Sequence, residues 1–249
     1  MRRVSPALAS CELTFLGRTQ IDPQRADRQH REIGHRLESA GLTVITLPAD
    51  PDLPDSTFTE DTAIVLDEIA IITNPGAAIR QAETGAIASI LEHFRPLRWI
   101  KAPGTIEGGD VVRVDRTLYV GVGTRTNQAG LAQLTAIVAP FGYAVLPVQL
   151  SAVLHLKTAA TWLGDGTWLI NPAWIDPLPL RRFRLLPVPA DEPWAANTLL
   201  LNGLLHLPVG FPLTSELLSA NGYAVSCVEM DELQKAEAGL TCLSVIFEA

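Results

Sequence analysis

Gly239-Leu240-Thr241-Cys242-Leu243-Ser244-Val245-Ile246-Phe247 is the last apolar run of the chain. Leu, Val, Ile and Phe mark it as a strand, with one soft nucleophile near its start, just beyond a glycine. Alone, a cysteine on an apolar strand is a small hydrophobe. Its place in a larger pattern changes that reading. Comparable runs open at Glu12, Glu60, Glu107, His155 and Asn197, in steps of 48, 47, 48 and 42 residues, and Cys242 follows Asn197 by 45. The last strand therefore stands where a new unit would start, and it must borrow its hairpin partner.

Each unit reads as strand, turn, strand, helix, strand. Glu12 to Gly17 is the first strand; Asp22 caps a helix that Pro23 opens and Gly41 ends, predicted over about 23–40. Ala26, His30, Ile33, Leu37 and Ala40 share its inner face, so His30 is expected to be a packed helix residue. Leu42 to Leu47 is a further strand. Glu60-Asp61 opens Thr62 to Leu66, Ile69 to Thr73, a helix to about Phe94 and Leu97 to Lys101. Glu107-Gly108-Gly109-Asp110 opens Val111 to Val114, Thr117 to Val122, a helix begun by Thr126-Asn127, and Tyr143 to Val148. His155-Leu156-Lys157 and Ala195-Ala196-Asn197 open two more units, and Asn202-Gly203 is the strongest hairpin turn in the chain.

A repeat of this length implies a solenoid or a closed ring, and two unpaired ends that complement each other favour the ring. The expected fold is a single α/β domain, 1–249, closed by the C-terminal strand pairing near the N-terminal strand. Cys242, His155, Glu107, Asp61 and Asn197 would then meet at one end of the ring axis. In the competing reading, an open α/β sheet, they need not meet.

The 249 residues are 47% hydrophobic and 18% charged, as in a globular protein. A net charge of -8 and a pI near 5.1 argue against nucleic acid or an anionic membrane as partner and favour a cationic small molecule. Cys11, Cys227 and Cys242 form no Cys-x-x-Cys pair, so they are read as reduced thiols. Val4 to Glu12 is too short and mixed for a signal-peptide core, and the apolar stretch from Leu199 to Leu213 is broken by prolines and glycines before the ~20 residues of a membrane span. A cytoplasmic enzyme is expected.

A cysteine nucleophile needs a base or a lowered pKa, because a thiol at ~8.5 is a few per cent thiolate at neutral pH. His155 can act as acid and base, with Glu107 fixing its ring. Asp55 and Asp61, flanking Phe58, suit the two edges of a planar guanidinium. Arg80 and Arg125, each near a helix start, could pair with a carboxylate; for any arginine a surface ion pair is the default.

Phe58-Thr59-Glu60-Asp61, Asn74-Pro75-Gly76-Ala77, Glu107-Gly108-Gly109-Asp110, Arg125-Thr126-Asn127, His155-Leu156-Lys157-Thr158, Ala195-Ala196-Asn197 and Leu240-Thr241-Cys242-Leu243-Ser244 together resemble the dimethylarginine dimethylaminohydrolases, guanidine-modifying enzymes with a five-bladed α/β propeller fold. The resemblance spans nearly the whole chain, in order. It implies that Cys242 attacks the guanidinium carbon of an Nω-methylated arginine. His155 would protonate the leaving amine and then activate water, with Glu107 as its partner. Asp61 would accept the guanidinium, with Asp55 as a second polar contact. Arg80 and Arg125 match positions that hold the substrate carboxylate. Leu13 and Phe58 match wall and lid residues, and backbone carbonyls around Ala236 and Glu237 match those that receive the substrate amine.

Arginine deiminases and amidinotransferases carry an aspartate two residues after the histidine, where this chain has Lys157, and tend to carry arginine where it has Glu60. Both choices imply the dimethylaminohydrolase branch, with Glu60 beside the substrate. Asn74, Ala236 and Glu237 depart from the family pattern, which leaves room for another ω-substituted guanidine. A deiminase-like hydrolase, a non-catalytic propeller that binds ligands, and a cysteine peptidase are the alternatives. No cofactor or structural metal is implied, although zinc could bind Cys242 and His155 as an inhibitor; a homodimer is allowed.

Overall fold

The computed structural model describes residues 1–248. Helix α1 (Pro23–Ser39) starts where Asp22 accepts the backbone N–H groups of Gln24 and Arg25, and it buries Ala26, Gln29, His30, Ile33 and Leu37. Twelve strands follow among the described residues. They are β1 (Ala63–Val65), β2 (Ala70–Ile72), β3 (Leu97–Trp99), β4 (Val111–Val114), β5 (Thr117–Val122), β6 (Ala144–Gln149), β7 (Ala160–Trp162), β8 (Thr167–Ile170), β9 (Arg184–Pro187), β10 (Leu199–Leu201), β11 (Leu204–Pro208) and β12 (Ala224–Val228). Interleaved are helices α2 (Thr84–Leu91), α3 (Gln128–Val138), α4 (Leu156–Ala159), α5 (Pro212–Ala220) and α6 (Asp231–Gln234).

The strands form four three-stranded sheets, β1-β2-β3, β4-β5-β6, β7-β8-β9 and β10-β11-β12. In each, the middle strand runs antiparallel to the first and parallel to the third. An antiparallel pair needs only a tight turn, whereas the parallel partner needs a crossover, so the helix falls between the second and third strands. Asn202 and Gly203 turn the β10–β11 hairpin with positive φ at both positions, 48° and 82°. In the unit opened by His155, the 3₁₀ turn Leu178–Leu180 replaces the crossover helix that Pro172, Pro177 and Pro179 forbid.

Successive sheets pack on one another. Ile64 and Ile71 of the first meet Val111 and Val120 of the second; Val112 and Tyr119 meet Ala160 and Trp168 of the third; Leu169 and Leu186 meet Leu205 and Leu207 of the fourth. The fourth joins α1 through Val228, Ile33 and Leu243, and the first joins the chain ends through Leu47 and Phe247. The first strands β1, β4, β7 and β10, with Ser244–Glu248, line a common cavity of about 820 Å³.

Several expected strands are not formed. Glu12 to Gly17 is a loop of bends, and Leu42 to Leu47 makes only an isolated parallel bridge, Arg2 with Leu47. Cys242 lies in a 3₁₀ turn, Thr241–Leu243, and beyond Ser244 the chain is extended without a ladder. The expected closure by pairing of the C-terminal strand near the N-terminal strand is therefore corrected: among the described residues the ends meet through side chains. An apolar run becomes a strand only when a neighbouring strand takes its peptide hydrogen bonds, and beyond the Leu47 bridge no such strand lies along these runs among the described residues.

Candidate active site

Three openers become one helical turn ahead of a first strand, Thr59–Thr62, Gly108–Asp110 and α4, and Thr241–Leu243 is a like turn with no strand after it. Gly108 and Gly109 let these turns approach. A Cβ on Gly108 would stand 2.0 Å from the Glu60 carbonyl oxygen, and one on Gly109 would stand 2.7 Å from Asp61 Oδ1. Gly109 N–H instead donates to that oxygen at 3.1 Å.

Cys242, His155, Asp61, Asp55, Phe58, Arg80, Arg125, Ala236 and Glu237 all border one small cavity of about 20 Å³. Cys242 is buried, and its Sγ accepts the Gly239 N–H at 3.4 Å. Burial, then the Glu60 and Asp61 carboxylates, push its thiol pKa well up, so the sulfur is protonated. His155 Nε2 lies 2.6 Å from Glu107 Oε2 and 3.7 Å from Asp61 Oδ1. Burial opposes a charge on His155, but Asp61, the Glu107 hydrogen bond and Asp110 outweigh it and raise its pKa to about 9. Glu107, although buried, is held below the usual carboxylate range by His155, Arg80 and Arg125. His155 and Glu107 thus form a buried ion pair facing a neutral thiol.

Arg80 is engaged with protein groups. Its Nη1 donates to Asp61 Oδ2 at 2.8 Å, its Nη2 donates to Glu83 at 2.9 Å and to the Phe58 carbonyl at 3.3 Å, and its guanidinium lies 5.9 Å from the Phe58 ring centre. Arg125 is freer: Nη2 donates to Thr14 Oγ1 at 3.0 Å, and Nη1 is buried without a hydrogen-bond partner, 3.6 Å from Glu107. Asp55 accepts the Glu12 N–H at 3.1 Å. Glu60 is turned away from the cavity, between Lys157 Nζ at 2.6 Å and Thr241 Oγ1 at 2.7 Å. Leu13 packs on the core beside Cys11, Phe58 and Cys242 but does not border this cavity.

Glu237 has φ 59°, and its carboxylate accepts backbone N–H groups from Thr14 (3.0 Å), Phe15 (2.5 Å) and Leu16 (2.6 Å), tying down the 12–17 loop. Asp110 and Glu83 were given no role by sequence, and Asn197 only its place among the openers that meet. Asp110 accepts Thr126 Oγ1–H at 2.6 Å and the Leu156 N–H at 3.0 Å, which fixes the turn that carries His155. Asn197 donates to the Lys157 carbonyl and to Thr241 Oγ1, and it packs so close to residue 239 that only glycine fits. Glu83 holds Arg80. Asp110 and Asn197 belong to openers, so their periodic place was the available signal; Glu83 offered none.

Asp61, Glu107 and His155 each offer a ligand atom, all within 4.8 Å of one another, as a cation site would need; Cys242 is not part of that group.

A buried cysteine that shares a pocket with a carboxylate and with a histidine paired to a glutamate has the groups a thiol hydrolase needs. The arginine deiminase family model matches residues 49–184. The dimethylarginine dimethylaminohydrolase of Streptomyces coelicolor is 38% identical over 98% of this chain and 95% of its own, and that of Pseudomonas aeruginosa is 34% identical over 91% and 90%. A solved structure of the Pseudomonas enzyme, a cysteine-to-serine mutant complexed with citrulline, superposes with a TM-score of 0.92 at 32% identity, covering 97% of this chain and 95% of that one. The chain belongs to the arginine deiminase and dimethylarginine dimethylaminohydrolase family.

Proposed function

We propose that this enzyme hydrolyses Nω-methylated L-arginine, dimethyl- or monomethylarginine, to L-citrulline and di- or monomethylamine. The observation that carries the reading is Cys242 bordering one small pocket with Asp61 and with His155, whose ring is held from behind by Glu107. The substrate cation enters against Asp61, where Arg80 now sits, and its carboxylate goes to Arg125. Backbone carbonyls around Ala236 and Glu237 receive the amine, and Asp55 and Phe58 close the sides. A cavity of about 20 Å³ admits no amino acid, so the 12–17 loop and Arg80 shift as substrate enters.

The chemistry follows from the protonation states. A cation beside Cys242 favours the thiolate that burial had suppressed, and the thiol proton leaves to solvent as the substrate binds, because His155 is already protonated. Sγ attacks the guanidinium carbon; protonated His155 gives its proton to the methylated nitrogen, and the amine leaves a thiouronium on Cys242. Neutral His155 then takes a proton from water, the oxygen adds to the same carbon, and the C–S bond breaks to give citrulline and free thiol. Glu107 stabilises the imidazolium in both halves. We read the protein as one cytoplasmic catalytic domain, 1–249, built as a five-unit propeller; the shared cavity lined by four first strands and Ser244–Glu248 supports the ring.

Citrulline release from Nω,Nω-dimethylarginine, Nω-monomethylarginine and arginine, with Cys242→Ser as blank, tests the reaction. Turnover of the methylated substrates alone is expected; turnover of arginine alone would favour the deiminase reading. Lys157 is bonded to Glu60 and to the Gly108 carbonyl, so it adds no second clamp on the guanidinium. Lys157→Asp is expected to gain measurable arginine turnover.

A further inference from the structure

The 12–17 loop is held by side chains. Among the described residues its backbone makes no hydrogen bond to other backbone, and most of its residues are exposed. Asp55 accepts the Glu12 N–H at one end, and Arg18 donates to the Ala9 and Cys11 carbonyls just before the loop, both at 2.6 Å. The middle of the loop depends on Glu237. A single oxygen, Oε1, accepts the N–H groups of Thr14, Phe15 and Leu16. Such charge-assisted bonds are short and strong, so the loop keeps its place while that carboxylate keeps its own.

Two observations give the Glu237 side chain more to do than close a turn. Its φ of 59° lies in the left-handed region, which glycine enters freely and a long side chain does not. A turn by itself would be better served by glycine. The other observation is what Thr14 carries. While its N–H is held by Glu237, its Oγ1 accepts Arg125 Nη2–H at 3.0 Å, the one hydrogen bond of that guanidinium among the described residues. Arg125 Nη1 stays buried without a partner, and Arg125, Ala236 and Glu237 border the same small cavity as Cys242.

We propose that the Glu237 side chain is a positioning residue for the amino-acid end of the substrate: through the N–H and the hydroxyl of Thr14 it sets the Arg125 guanidinium. The assignment rests on Arg125 receiving the substrate carboxylate, as proposed above. One residue then serves both ends of the α-amino acid, its backbone beside the amine and its carboxylate, by way of the loop, behind the clamp for the acid. Reach matters as much as charge. Aspartate is one methylene shorter and falls short of the three amides from the same backbone. Glutamine keeps an acceptor oxygen at the same reach but makes the weaker, neutral bond.

The test compares the full chain with its Glu237→Gly, Glu237→Asp, Glu237→Gln and Thr14→Val variants. The readouts are amide hydrogen exchange, kinetics on dimethylarginine, and phenylglyoxal labelling of Arg125 mapped to its peptide. Glu237→Gly is expected to speed exchange at Thr14–Leu16 by about 10-fold or more, to speed labelling of Arg125, and to raise KM about 10-fold with kcat less affected. Aspartate is expected to behave like glycine, and glutamine to lie between glycine and the parent. Thr14→Val keeps the N–H and drops the hydroxyl, so KM and labelling should rise while exchange at Phe15 and Leu16 stays slow. On an Arg125→Ala background, Glu237→Gly is expected to raise KM no further. Unchanged KM and Arg125 labelling in Glu237→Gly overturn the proposal, as does a full additional rise in KM on the Arg125→Ala background. A parent chain that turns over no methylarginine sinks the proposed reaction instead; exchange and labelling, which need no substrate, still decide whether Glu237 sets Arg125.

Discussion

The opener face around His155 and the inner face of α1 around His30 bury two histidines to similar depth, 3% and 1% exposed. Their protonation goes opposite ways. Around His30, burial dominates, the Met1 ammonium and Arg3 add repulsion, and neither ring nitrogen has a hydrogen-bond partner; its pKa falls to about 4. Around His155 the same burial is overcome by Asp61, Glu107 and Asp110, and the pKa rises to about 9. Depth of burial therefore says little about a histidine's role. Carboxylates within reach decide whether the charged form survives out of water.

The sharpest way to break this contrast is to remove each ring in turn. His155→Gln is expected to lower kcat on dimethylarginine by about 10³-fold or more, the range of a lost acid–base group, while His30→Leu leaves kcat unchanged. Comparable losses from both would mean that His155 acts only through packing. Next comes the partner. Glu107→Gln should lower kcat about 100-fold and move the alkaline limb of the kcat/KM profile down from near pH 9, since His155 must be protonated to release the amine. A limb that stays in place would assign the raised pKa to Asp61 and Asp110.

Arg125→Ala should raise KM about 10- to 100-fold, as expected for a lost charge-assisted hydrogen bond, with kcat less affected; an unchanged KM would leave the substrate carboxylate without its assigned partner. The smallest effect is on stability. His30, with a lowered native pKa, contributes stability that is lost as pH falls from about 6.5 towards about 4. His155, with a raised pKa, contributes stability that is lost as pH rises from about 6.5 towards about 9. In His30→Leu, Tm measured between these limits should flatten on the acid side only; flattening on the alkaline side would contradict the assignment.

Much of the repeat was legible because it is written in local chemistry. Asp22-Pro23 fixes the start of α1, Asn202-Gly203 fixes a hairpin, and β4 and β5 have the bounds their apolar runs suggest. The openers were legible as a period and, through the family resemblance, as a set of roles. The strands at the two chain ends were not. Glu12–Gly17 and Gly239–Phe247 have strand-like residues, but a strand is a property of a pair, and the structure supplies no ladder there. Glu60 and Arg80 show the same limit within the site. Both are where the sequence puts them, yet Glu60 faces Lys157 and Thr241, and Arg80 lies on Asp61 and Glu83.

The sequence by itself determined the unit, its period, the helix caps and hairpin turns, and which residues open each unit, because these depend on neighbours within a few positions. Only the tertiary structure decided which opener touches which, that Glu237 ties down the 12–17 loop from more than 220 residues away, and that a charged His155 paired with Glu107 is buried beside the pocket that Cys242 borders. Those outcomes depend on desolvation and on charges brought together across the chain, and neither quantity exists until the chain has folded.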